Sequence, residues 1–90
     1  MAWKIELTKA AEKELDKLDP QIAKRILMFL HGRVSPLDDP RSLGDSLTGS
    51  KLGEFWKYRV GSYRIIADIQ DAKLQILVVR IGNRGKVYRK

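Results

Sequence analysis

From Trp56 to Gln70 the chain alternates apolar and polar side chains twice, and only Gly61-Ser62 separates the two runs. Alternation with a period of two marks a half-buried strand. A two-residue loop that opens on glycine is the tight turn of a β-hairpin, glycine supplying the positive φ that a type II′ turn needs first. Such a loop sets the register. Val60 faces Tyr63, Arg59 faces Arg64, Tyr58 faces Ile65 and Lys57 faces Ile66. Trp56, Tyr58 and Val60 then share an apolar face with Tyr63, Ile65, Ala67 and Ile69. Lys57, Arg59 and Arg64 fall together on the opposite face.

The remaining elements follow from the same patterns. Trp3, Ile5 and Leu7 alternate with Lys4 and Glu6, a short strand. Thr8 is placed to N-cap a helix whose Ala11, Leu15 and Leu18 share a face. Asp19-Pro20 starts a second helix, with proline at its first position and Ile22, Ile26, Leu27 and Leu30 as its buried stripe, running to about Arg33. Residues 35–53 hold Pro36, Pro40, Gly44, Gly49 and Gly53 and read as an irregular connection with a short helical turn near 41–47. Strands are predicted over Glu54–Val60, Tyr63–Gln70 and Lys73–Gly82, with Asp71-Ala72 as the second turn. The fold predicted is α+β: a small antiparallel sheet in the order β-α-α-β-β-β, with a helical hairpin packed on one face and the other face left open. Residues 1–90 form a single domain of the size that holds one core.

Charge is distributed unevenly over this frame. Residues 1–50 carry eight Lys/Arg against eight Asp/Glu, whereas residues 51–90 carry ten against Glu54, Asp68 and Asp71, which is the whole net charge of +7. A basic β-surface on an otherwise neutral small domain points to a polyanion, RNA or DNA. Opposed Cβ atoms in a hairpin lie about 4.5–5.5 Å apart, and like charges there destabilise the sheet. Folding alone does not favour Arg59 beside Arg64; an anionic ligand bridging them does. The closing segment Gly82-Asn83-Arg84-Gly85-Lys86-Val87-Tyr88 bends at its glycines, which lets Arg84 and Tyr88 approach the same face.

Composition excludes several chemistries. With no cysteine, disulfides, thiolate catalysis and cysteine zinc sites are absent. His31 alone makes no histidine metal site and sits at the end of the second helix, so no metal and no cofactor is expected. No apolar run approaches the roughly 20 residues of a membrane span, and Trp3-Lys4-Ile5-Glu6 is too polar for a signal sequence; a cytoplasmic protein is expected. Trp3 and Trp56 fall at core parity. Leu77, Val79 and Ile81 share parity with Arg64, an apolar strip on the open face that a partner would cover. Phosphate clamping by arginine and electrostatic stabilisation of a phosphorane-like transition state remain. Both suit RNA cleavage by the substrate's own 2′-OH, and both also suit RNA binding without cleavage.

Lys57-Tyr-Arg-Val-Gly-Ser-Tyr-Arg-Ile-Ile66 and Ile81-Gly-Asn-Arg-Gly-Lys-Val-Tyr-Arg89, in that order behind a strand and a helical hairpin, resemble the RelE toxins of the RelE/ParE toxin–antitoxin superfamily. The resemblance implies a ribosome-dependent mRNA endonuclease, metal-independent, that cuts mRNA in the A site of the small ribosomal subunit and leaves a 2′,3′-cyclic phosphate. It implies a cognate RelB-like antitoxin and a toxin–antitoxin hetero-oligomer. Carried over by position, it implies a catalytic set of Lys57, Arg59, Arg64, Arg84 and Tyr88. Tyr88 or Lys57 would handle the 2′-OH proton, Arg64 and Arg84 would hold the scissile phosphate, and Arg59 would support transition-state charge. Lys51, Lys86, Arg89 and Lys90 would contact the RNA backbone. The alternatives are a ParE-like toxin that inhibits gyrase without nuclease chemistry, and a non-catalytic RNA-binding module.

Overall fold

The computed structural model describes residues 2–47 and 55–83. Strand β1 (Lys4–Leu7) leads through Thr8 into α1 (Lys9–Asp16), and the Thr8 side-chain oxygen accepts from the Ala11 N–H at 3.1 Å. Helix α2 (Pro20–Phe29) begins with proline at its first turn. The Asp19 side chain makes no capping bond, so the fixed φ of Pro20 and the Asp19 carbonyl, which accepts from Ile22 and Ala23, define this start. Rather than running on as α-helix to Arg33, the chain widens into a π turn over Leu30–Val34 that buries both Leu30 and Val34. A 3-10 turn (Pro40–Ser42) precedes β2 (Asp45–Ser46), and β3 (Trp56–Val60), β4 (Tyr63–Gln70) and β5 (Gln75–Asn83) complete the sheet.

The hairpin register is the one its loop dictates: Val60 with Tyr63, Arg59 with Arg64, Tyr58 with Ile65 and Lys57 with Ile66. Gly61 has φ +60° and Ser62 is not in the left-handed region, the signature of a type II′ rather than a type I′ turn. Ile26, Leu30 and Val34 of the helical layer bury against Tyr58, Ile65, Ala67, Ile69, Ile76, Val78 and Ile81 of the sheet. Each fully buried aliphatic side chain of this set contributes roughly 1.5–3 kcal/mol.

The α+β class and the one-sided helical layer are as predicted, and four details differ. Among the described residues the sheet has five strands in the order β1-β5-β4-β3-β2, because Asp45–Ser46 pairs antiparallel with β3. It is mixed rather than wholly antiparallel, because β1 returns beside the last strand and runs parallel to it. A bulge at Val79 shifts the register between Ile66↔Arg80 and Ala67↔Val78, which reverses parity along the end of β5. Ile81 therefore joins the core opposite Ile65, 2% exposed, and the apolar strip expected from Leu77, Val79 and Ile81 is broken. Finally, the face away from the helices is not simply open, since Ile66 (4% exposed) and Arg64 (9%) are buried there.

Helix α1 secures the bulge. Pairing with β1 ends at Leu7↔Val78, and among the described residues no strand lies beside the outer edge of β5 beyond that point. The Thr8 N–H and hydroxyl donate to the carbonyls of Val78 (2.9 Å) and Val79 (3.2 Å). Glu14 then accepts from the Ile81 N–H at 2.7 Å and from Arg80 Nε at 3.0 Å. Backbone groups that a strand would have paired are satisfied by one backbone N–H, one hydroxyl and one carboxylate.

Candidate nucleic-acid interface

The hairpin delivers Lys57, Arg59 and Arg64 to one face of the sheet, as the register requires. Arg59 is exposed, whereas Arg64 is held with little of its surface in solvent. Between them, a cleft of about 260 Å³ is lined by Arg59, Gly61, Ser62 and Arg64. A narrow space beside it is lined by Asp45, Lys57, Tyr58, Arg59 and Arg64. Guanidiniums donate in a fixed fork to two oxygens at once, so a cleft walled by two of them presents donors that an anion's oxygens can meet.

The backing of this surface is rigid. Tyr58 points into the core, its ring edge-on to Phe29 at 6.0 Å between centroids and its hydroxyl donating to the Pro40 carbonyl at 2.7 Å. Burial pushes the Tyr58 phenol well above the ordinary tyrosine value, so it stays protonated. Trp56 Nε1 donates to the Leu43 carbonyl at 2.7 Å. Arg41 pairs with Asp71 through two bonds of 3.1 and 2.9 Å, joining the 3-10 turn to the β4–β5 connection. The hydrogen bonds to Arg41 hold the Asp71 carboxyl below its usual value and raise the guanidinium.

These ties seat the Leu43–Leu47 segment against β3 and bring in a residue that sequence reasoning missed. Asp45 is the Cα partner of Lys57, exposed at the sheet edge beside the basic trio. Two residues of strand carry no readable alternation, and Asp45 counted only as one of the balanced acids of the first half. The available signal was Gly44. Its φ is +82°, and an added Cβ would run into the Lys57 carbonyl oxygen and lie 2.9 Å from both Trp56 Nε1 and Tyr58 Cδ1.

Arg84, Tyr88, Lys51, Lys86, Arg89 and Lys90 lie outside the described residues. Among the described residues no group of three His, Cys, Asp or Glu could hold a metal ion, and no helix is long and apolar enough to cross a membrane. His31 is exposed on the π turn.

The profile of a family described as "ParE toxin of type II toxin-antitoxin system, parDE" matches residues 5–88. The chain belongs to that toxin family. Within the RelE/ParE superfamily it is of the RelE type. The toxin is 29% identical to Toxin RelG of Mycobacterium tuberculosis (strain ATCC 25618 / H37Rv) over 90 residues, all of both chains. It is 28% identical to Toxin RelE of the same organism over 87 residues, 97% of this chain and 87% of that one. Its fold superimposes on the toxin–antitoxin complex RelBE2 of Mycobacterium tuberculosis with a TM-score of 0.83, at 26% identity and 93% coverage of each chain. The RelE–RelB complex of Pyrococcus horikoshii OT3 gives 0.69 at 23% identity, covering 96% of this toxin and 99% of that chain, a likeness of fold.

Proposed function

We propose that this toxin is a ribosome-dependent mRNA endonuclease that cuts the A-site codon through attack of the substrate's own 2′-OH, without a metal. The observation that carries the reading is the direct pairing of Arg59 with Arg64, with Lys57 on the same face and a cleft lined by both arginines. A phosphodiester in that cleft offsets the repulsion built into the pair. The same cations then stabilise the extra negative charge of the pentacoordinate transition state.

In this reading Arg64 and Arg84 hold the scissile phosphate and Arg59 stabilises the developing charge, being unable to give up its proton. The resemblance assigns the 2′-OH proton to Lys57 or Tyr88. Lys51, Lys86, Arg89 and Lys90 add backbone contacts that a diffuse basic surface supplies without sequence preference. A cognate RelB-like antitoxin neutralises the toxin in a hetero-oligomer. This is supported by fold neighbours that are RelB–RelE complexes from Mycobacterium tuberculosis, Pyrococcus horikoshii, E. coli and Methanococcus jannaschii. The toxin acts as one domain in the cytoplasm, where ribosomes are.

The test is to add purified toxin to ribosomes stalled on a defined message and map the new mRNA 5′ ends. Cuts within the A-site codon are expected. Intact message at saturating toxin contradicts the reading. Because the matching profile is named for ParE toxin, a gyrase-inhibiting toxin without nuclease chemistry is the second reading, and it predicts inhibited supercoiling with no new mRNA ends.

A further inference from the structure

We propose that Asp45, set beside Lys57 and Arg59 by the short β2 strand, is the proton acceptor of this site and takes the 2′-OH proton during RNA cleavage. This rests on the cleavage reading above and replaces Lys57 or Tyr88 in that one role.

The basic trio supplies no group that is an acceptor in its charged form. Ammonium and guanidinium groups are donors only, whereas a carboxylate has lone pairs ready to receive a proton. Asp45 is directly opposite Lys57 in the sheet, and Arg59, two residues on from Lys57, is its diagonal neighbour. It lines one space together with Lys57, Arg59 and Arg64. Among the described residues the register places two other acids on this face: Glu6, on the far side of β5 and paired with Lys4 at 3.3 Å, and Asp68, four residues along β4 from Arg64, about 13 Å at the strand rise. The Asp68 carboxylate already accepts from Gln70 at 3.1 Å. The Asp45 backbone pairs with β3, but among the described residues the Asp45 carboxylate makes no hydrogen bond or ion pair, and it is exposed to an incoming substrate.

Spacing fits the task. Strands β2 and β4 lie on either side of β3, about 9–10 Å apart at two strand spacings. A nucleotide crossing β3 puts its phosphate between Arg59 and Arg64 and its ribose toward β2, with the 2′-OH on the carboxylate side. The step balances. The 2′-OH proton passes to an Asp45 oxygen as the 2′-oxygen bonds to phosphorus. The bond from phosphorus to the 5′-oxygen breaks, and the 5′-oxygen takes a proton from solvent water. The products are a 2′,3′-cyclic phosphate and a 5′-hydroxyl, and Asp45 returns its proton to solvent.

The test compares full-length wild type, Asp45→Asn and Asp45→Glu on ribosomes stalled on a defined message, reading single-turnover cleavage rate and ribosome affinity separately. Asp45→Asn keeps the shape and removes the base, so cleavage falls about 10²–10⁴-fold, the usual contribution of a general base. Affinity stays equal or tightens, because a negative charge leaves a polyanion site. Asp45→Glu retains cleavage to within about tenfold, a loss much smaller than the asparagine variant shows. Asp45→Asn cleaving within threefold of wild type overturns the proposal and leaves the cleavage reading intact. Parallel loss of affinity and cleavage in Asp45→Asn overturns it too, since that marks a binding or structural role. A wild type that makes no cuts overturns both.

Discussion

Replacing Gly44 with alanine should unseat the strand that carries Asp45. At φ +82° an L-residue is strained by about 1–2 kcal/mol. The added methyl also meets the Lys57 carbonyl, a backbone atom of β3 that cannot rotate away, with Trp56 Nε1 and Tyr58 Cδ1 each at 2.9 Å. Relief requires the 43–46 segment to lift off β3, which breaks the 2.7 Å bond from Trp56 to Leu43, worth about 0.5–1.5 kcal/mol. Together these give a loss of about 1.5–3.5 kcal/mol. At roughly 4–8 °C per kcal/mol for a domain of this size, the melting temperature drops by about 6–28 °C, read by circular dichroism. Gly32→Ala is the control. Its Cβ would meet nothing within 4 Å, and its φ is not in the left-handed region, so it should stabilise by about 0.4–1 kcal/mol through the unfolded chain. A Gly44→Ala protein that melts within 2 °C of wild type (roughly the noise of such a comparison) refutes the close approach and the strain together.

Glu14→Ala leaves the Ile81 N–H without its acceptor and should cost about 1–3 kcal/mol in denaturant titration. The half-exposed Arg80 bridge adds little; faster exchange of the Ile81 amide locates the effect. Asp71 has a lowered carboxyl value because Arg41 hydrogen-bonds it, so its contribution is present above the ordinary carboxylate range and is lost as pH falls through the lowered value. Asp71→Asn should therefore flatten the acid limb of a stability–pH profile. Tyr58 runs the opposite way: its raised value means stability is full below the ordinary tyrosine range near pH 10 and declines above it, and Tyr58→Phe should remove that alkaline decline. Arg64→Ala should relieve growth arrest on toxin expression while antitoxin co-purification persists; full toxicity in this variant contradicts its role in the cluster.

What the sequence disclosed and what it hid divide along physical lines. Gly61-Ser62 is a local constraint of two residues, and it determined the pairing of Arg59 with Arg64 and hence the face of the basic trio. Thr8 and Asp19-Pro20 marked the helix starts within a residue, because capping is also local. The misses are non-local. The parallel placement of β1 beside β5 depends on the whole chain's path. The bulge at Val79 arises where β1 ends and Glu14 takes over the edge, and nothing in Leu77-Val-Val-Arg-Ile81 announces the change of parity that sends Ile81 inward. Strand β2 is too short to show alternation, so Asp45 was invisible as a member of the site. Its seat depends on Gly44 and on Trp56 reaching the Leu43 carbonyl, contacts between segments that no periodicity describes.

The central claim is that RNA lies across the sheet face bearing Lys57, Arg59 and Arg64, and site-specific crosslinking tests it most directly. A photoreactive phenylalanine is placed at Ser62, in the cleft between the arginines, or at Met28, 63% exposed on α2 in the helical layer. Each protein is irradiated on ribosomes stalled on labelled mRNA. The account predicts mRNA crosslinked through position 62 and not through position 28. Capture through position 28 with none through position 62 contradicts it.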